Sequence, residues 1–133
     1  MTVTKGYKQL IAEAREKIKT LSTGEAMAKF GDPNVVFVDI RDVRELEREG
    51  MIPNAFHAPR GMLEFWVDPD SPYHKEVFSS GKEFILYCQS AWRSSLASLA
   101  LQEMGLSPVC HIEGGFKAWK EAGLPTCEKS DIR

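Results

Sequence analysis

Cysteine is scarce in this sequence: three residues, Cys88, Cys110 and Cys127, an odd number with no CxxC spacing. That argues against a disulfide scaffold. The three histidines, 57, 74 and 111, are scattered singly, so a zinc site is disfavoured too; neither a metal nor a cofactor is expected. Long apolar runs are also missing. The longest, Val35 to Val38 and Phe84 to Cys88, fall far short of the roughly 20 residues that a membrane helix needs. No charge sign dominates: 17 Lys and Arg stand against 19 Asp and Glu, a net of -2, so no bulk electrostatic grip on nucleic acid or membrane is expected. The opening residues MTVTKGYKQL hold no apolar signal segment with a small-residue cleavage site, which reads as a cytoplasmic chain. Repeats, low-complexity tracts and Pro-, Gly- or Ser-rich linkers are absent. What is present, 43% hydrophobic residues in a chain of 133, suits one globular core.

Tyr7, Leu10, Ile11, Ala14 and Ile18 follow helical spacing and predict an amphipathic N-terminal helix. Residues 1–18 are read as an extension, 19–127 as the domain and 128–133 as a tail. Ser22 or Thr23 can cap a second helix carrying Ala26, Met27 and Phe30. VVFVD, 35 to 39, is a β-branched and aromatic run of the kind that forms a strand buried on both faces. A polar helix from about Asp42 to Glu49 and a short strand over Ala55 to Ala58 follow, and residues 59–82 resist assignment. FILYC, 84 to 88, is the second clear strand. Behind it comes a helix expected to turn Leu96, Leu99, Ala100 and Met104 inward and Ser95, Ser98, Gln102 and Glu103 outward, closed by Gly105. Val109 to Ile112 reads as a further strand, Gly114-Gly115 as a turn and Phe116 to Ala122 as a last helix. Strands alternating with helices predict an α/β domain: three layers, with a mainly parallel sheet between helices.

In such folds ligands bind at the carboxyl ends of the strands. Cys88 lies there, one short loop before a helix. If Cys88-Gln89-Ser90-Ala91-Trp92-Arg93 curls around the sulfur, backbone N–H groups, the helix terminus and the Arg93 guanidinium all favour the anion. An ordinary thiol with a pKa near 8.5 is only about 3% thiolate at pH 7, and lowering that pKa by two units takes about 2.7 kcal/mol. The expectation is an anionic sulfur open to solvent. The competing reading is an inert cysteine ending a core strand. Cys110, inside a predicted strand, is read as inert. Cys127 is read as exposed, with the role of a thiol resolving an oxidised Cys88 left open.

Taken together, V-D-I-R at 38 to 41 with Glu45, G-M-I-P-N-A at 50 to 55, C-Q-S-A-W-R at 88 to 93 with Ser94, E-G-G-F at 113 to 116, Trp119 and A-G-L-P at 122 to 125 resemble the rhodanese, or sulfurtransferase, family from about Lys19 to Pro125. The resemblance implies a rhodanese-like three-layer domain. It also implies transfer of a sulfane sulfur from a donor such as thiosulfate to cyanide or a thiol, with a protein acceptor as a further candidate. Cys88 would be the catalytic nucleophile and persulfide carrier. Gln89, Ser90, Ala91, Trp92 and Arg93 would bind the outer sulfur, with Asp39, Arg41 and Ser94 in support.

Related phosphatases and arsenate reductases carry a longer C-x5-R loop, so the C-x4-R of this chain favours sulfur over phosphate. The family usually has Gly where Ala91 stands, and alanine at positive φ costs about 1 kcal/mol. Trp92 is expected to wall the entrance with an aromatic face, the alternative being that it packs against the adjacent helix. Gln89 and Ser90 are neutral where thiosulfate-preferring members often carry a cation, and Arg60 is the candidate to supply it. Asp39 and Arg41 could orient the loop, or only stabilise turns and pair with Glu45 or Glu113. A sulfur-relay or binding module with little activity on small donors, docking through the N-terminal helix, is the alternative function.

Overall fold

The computed structural model describes residues 2–129. Met1 and residues 130–133, most of the expected tail, lie outside the described residues. VVFVD forms β2 (Val35–Asp39), and β4 (Glu83–Tyr87) holds FILY and stops just before Cys88. The two strands pair in parallel from Val35↔Glu83 to Asp39↔Tyr87. That register brings Asp39 and the start of the cysteine loop to one sheet edge. With β1 (Lys19–Leu21), β3 (Phe56–His57) and β5 (Val109–Ile112), the sheet runs β1-β5-β4-β2-β3, every neighbouring pair parallel. Strand β1 was not expected. Three residues are too few to show a pattern of their own, and pairing with β5, Thr20↔His111, makes them a strand.

Helices cover both faces, as the α/β expectation requires. One face packs Ile85, Tyr87, Cys110 and Ile112 with Ala26 of α2 (Thr23–Met27), Leu46 of α3 (Val43–Glu49), and Phe116 and Trp119 of α6 (Gly115–Glu121). The other packs Val38, Leu86 and Cys88 with Leu63 and Val67 of α4 (Leu63–Val67) and Ala97 and Leu101 of α5 (Trp92–Glu103). Capping boxes start α2 at Ser22 with Glu25 and α3 at Asp42 with Glu45. The unassigned middle segment forms α4 between two 3-10 turns, Arg60–Met62 and Glu76–Ser79.

The inward face of α5 differs from the expectation. Ser94, Ser95, Ala97, Ser98 and Leu101 are buried, whereas Leu96, Leu99 and Ala100 are half-buried and Met104 is exposed. The helix is covered on two sides, by the sheet and by α1 (Tyr7–Lys17), which packs along it. Against the sheet, small residues let the backbones approach, so a stripe chosen by hydrophobicity alone is rotated from the real one.

Among the polar groups this close approach buries is His111 of β5. Its Nδ1 shares a hydrogen bond with Ser94 Oγ and its Nε2 one with Thr20 Oγ1, both at 2.9 Å. Burial lowers the imidazole pKa to about 4, helped by Arg15 and opposed by Glu113. In the unfolded chain the ring charges near pH 6.5, so between those values the unfolded state binds the extra proton. Stability from this group is therefore full above about pH 6.5, falls as the pH drops toward 4, and then levels. Denaturant unfolding at pH 7 and pH 4 should show the native chain losing about 3 kcal/mol relative to His111→Gln over that interval. Parallel losses in the two proteins would exclude a neutral buried imidazole.

Candidate active site

The reactive loop leaves β4 at Cys88 and enters α5 through Ala91, the N-cap residue, at φ 74° and ψ 2°. The position does take left-handed backbone, and alanine occupies it in place of the unstrained glycine. Ser95 Oγ donates to Ala91 O at 2.6 Å, anchoring the turn from the helix side. The β5–α6 turn sits close behind it. Phe116 N–H donates to Cys88 O at 2.8 Å and Lys117 N–H to Gln89 O at 3.1 Å. A Cβ on Gly115, at φ 63°, would lie 2.5 Å from Cys88 O and 2.7 Å from Gln89 O, so only glycine fits.

Ser94 N–H, in the first turn of α5, donates to Cys88 Sγ at 3.3 Å. This main-chain donor, with the positive end of a 12-residue helix, faces the sulfur. Ser94, expected in support, is thus in direct contact with the sulfur. Cys88 itself is 1% exposed, which corrects the expectation of a solvent-open sulfur. The first turn of α5 lies over it and its carbonyl is held by the base of α6, so the sulfur forms the floor of the loop. Gln89 is half-buried and Ser90 exposed.

Arg93 reaches Glu45 through Nη1 at 2.7 Å and Nη2 at 2.9 Å. That pairing raises the guanidinium pKa against partial burial, and Cys88 adds a smaller attraction. The same bonds lower Glu45 below the ordinary carboxylate range. Arg41, fully buried, donates to Asp39 from Nε at 3.0 Å and from Nη2 at 2.7 Å. Its Nη1 donates to Gln89 Oε1 at 3.1 Å, its Nη2 to Gly50 O at 2.8 Å, and it stacks 4.3 Å from the Phe116 ring centroid. Burial opposes its charge most strongly, but Asp39 outweighs that and the pKa is raised. Asp39 therefore holds an arginine that in turn holds the Gln89 side chain. The alternative pairing of Asp39 and Arg41 with Glu45 or Glu113 does not occur: Glu45 holds Arg93, and Glu113 pairs with Arg15. Gln89 Nε2 in turn donates to Glu49 Oε1 at 3.2 Å.

Trp92, 54% exposed, lies with its ring 4.9 Å from that of Tyr7 in α1, so the aromatic surface beside the loop is shared with the N-terminal helix. Arg60 is bound to Glu64 at 2.7 Å, and that carboxylate already meets its charge. Cys110 is buried, and burial pushes its thiol up to about 11, in keeping with an inert role. Cys127 is half-buried rather than exposed: its backbone pairs with Met51 through two 2.9 Å bonds, which seats the last described residues on the α3–β3 turn. In the sequence His111 is one of three scattered histidines. Its place one hydroxyl away from the loop follows from the β1–β5 register and the inward face of α5, neither of which was legible.

This arrangement matches known proteins. A family model for the rhodanese-like domain fits residues 22–122. The chain is 39% identical over 92 residues to an uncharacterized Synechocystis protein, covering 69% of this chain but 46% of that one. It is 32% identical over 109 residues to a sulfurtransferase of Allochromatium vinosum, covering 82% of this chain and 92% of the relative. Among solved structures, a Rhodopseudomonas palustris protein of unknown function, described as a possible tyrosine phosphatase, superposes with a TM-score of 0.93 at 52% identity, covering 96% of this chain and 98% of that one. The polysulfide-sulfur transferase homodimer of Wolinella succinogenes gives a TM-score of 0.70 at 28% identity, covering 96% and 90%. With a match over most of its length, a parallel sheet in the expected place and a cysteine loop at its carboxyl edge, the chain belongs to the rhodanese-like domain family.

Proposed function

We propose that the chain is a sulfurtransferase that carries sulfane sulfur as a persulfide on Cys88. The observation that carries this reading is the Ser94 N–H on Cys88 Sγ at the start of α5, with Arg93 adjacent. In the first half-reaction the Cys88 thiolate forms a bond to the outer sulfur of a donor such as thiosulfate. The donor's S–S bond breaks and sulfite leaves with the electron pair. In the second, an acceptor thiolate or cyanide attacks that outer sulfur and Cys88 is released as thiolate. Electrons balance without an oxidant, and no proton has to be abstracted from an anionic nucleophile. The C-x4-R loop, shorter than the phosphatase ring, supports sulfur over phosphate. A cytoplasmic setting, where thiols stay reduced, fits this chemistry, and no helix among the described residues is long and apolar enough to cross a membrane.

Incubation with thiosulfate, glutathione persulfide or 3-mercaptopyruvate should add one sulfur atom to the intact mass, and Cys88→Ser should abolish the gain. No loading from any of these donors would leave the relay or binding-module reading, while turnover of an aryl phosphate would return the phosphatase reading. Arg93→Gln, which removes the positive charge beside the sulfur, should slow loading about tenfold, equivalent to about 1.4 kcal/mol in the transition state. An unchanged initial rate would remove Arg93 from the chemistry. Ala91→Gly relieves left-handed backbone at the loop and should raise stability by about 1 kcal/mol in denaturant unfolding. A loss of stability would mean the surroundings, not the backbone, set the energy of that turn.

A further inference from the structure

The first turn of α5 is held from below by a hydrogen-bonded line crossing the sheet. Thr20 of β1 and His111 of β5 are register partners, and their side chains meet at 2.9 Å through His111 Nε2. The other ring nitrogen, Nδ1, meets Ser94 Oγ at 2.9 Å. Ser94 is the residue whose backbone N–H contacts Cys88 Sγ at 3.3 Å. His111 and Ser94 are both fully buried, so water is not at hand to replace a lost partner. Neighbouring strands fix His111 on both sides, through Thr20↔His111 and Leu86↔His111. Leu86 lies two residues before the reactive cysteine.

From this geometry we infer that His111 is a positioning residue for Cys88, acting through the Ser94 hydroxyl to keep the Ser94 N–H aimed at the sulfur; the inference rests on Cys88 being the nucleophile. The alternative open to a released Ser94 hydroxyl is its own helix. A serine in a first turn can bond back to the carbonyl four residues earlier, as Ser95 does with Ala91 O at 2.6 Å, and such bonds bend the helix. Holding Ser94 Oγ on a strand residue prevents that and keeps the donor in line. A neutral ring can serve both hydroxyls at once, donating from one nitrogen and accepting at the other. The charged groups acting on His111 are Arg15 of α1, which disfavours its protonation, and Glu113 at the end of β5, which favours it; these two pair with each other.

Asparagine can place its amide near the Nδ1 position and keep the Ser94 bond, whereas glutamine reaches toward the Nε2 position and keeps only the Thr20 bond. Thiolate formation at Cys88 can be followed by ultraviolet absorbance against pH, each variant being compared with the same variant carrying Cys88→Ser. His111→Gln should move the midpoint of Cys88 ionisation upward by about one pH unit, a tenfold change in the ionisation equilibrium, while His111→Asn restores most of it. Ser94→Ala, which keeps the backbone N–H but removes the hydroxyl that His111 holds, should shift the midpoint upward too, by less than His111→Gln does, because no hydroxyl remains to bond back into the helix. It supplies the answer if a His111 variant does not fold. Unchanged midpoints in the variants that fold, or equal shifts in the Asn and Gln variants, would overturn the proposal and leave His111 a packing residue. Because the readout is ionisation and not sulfur transfer, failure of every donor to load Cys88 would count against the sulfurtransferase reading while leaving this result to judge His111.

Discussion

A single buried guanidinium joins the parts that make the loop a site. Arg41 neutralises Asp39 at the end of β2, reaches the carbonyl at the end of α3, grips the Gln89 side chain and lies under the Phe116 ring of α6. Burying a charge is costly unless it is paired and its donors are used. Here the partners come from four stretches of chain, so the charge is tolerated only when all four are in place. The loop geometry is thereby tied to completion of the fold around it.

Charge near the sulfur is handled in pairs. Arg41 has Asp39, and Arg93 has Glu45. Each carboxylate holds its guanidinium in a fixed direction and also reduces its net field. What faces Cys88 directly is main chain, the Ser94 N–H, whose dipole no carboxylate cancels. Precision of the α5 turn therefore weighs more in this site than the number of cations around it.

Strands β2 and β4 were legible because VVFVD and FILY are continuous β-formers, and the position of Cys88 followed from the parallel-sheet rule. A cap at Ser22 or Thr23 was open to reading as local chemistry, and the structure puts it at Ser22. The missing pieces are those set by partners distant in sequence. Strand β1 exists through β5, and the serine-rich face of α5 is buried because the helix is covered twice. Burial of Cys88, the Arg41–Gln89 contact and the place of His111 depend on which backbone passes over which, and periodicity carries no such information.

The seat of Gly115 extends this to mechanics. With Cys88 O and Gln89 O where a methyl group would be, the entry to α6 and the floor of the loop have no side-chain cushion between them. Strand end, loop and helix start thus form one stiff unit, and a displacement imposed on α6 from its outer surface would arrive at the sulfur undamped.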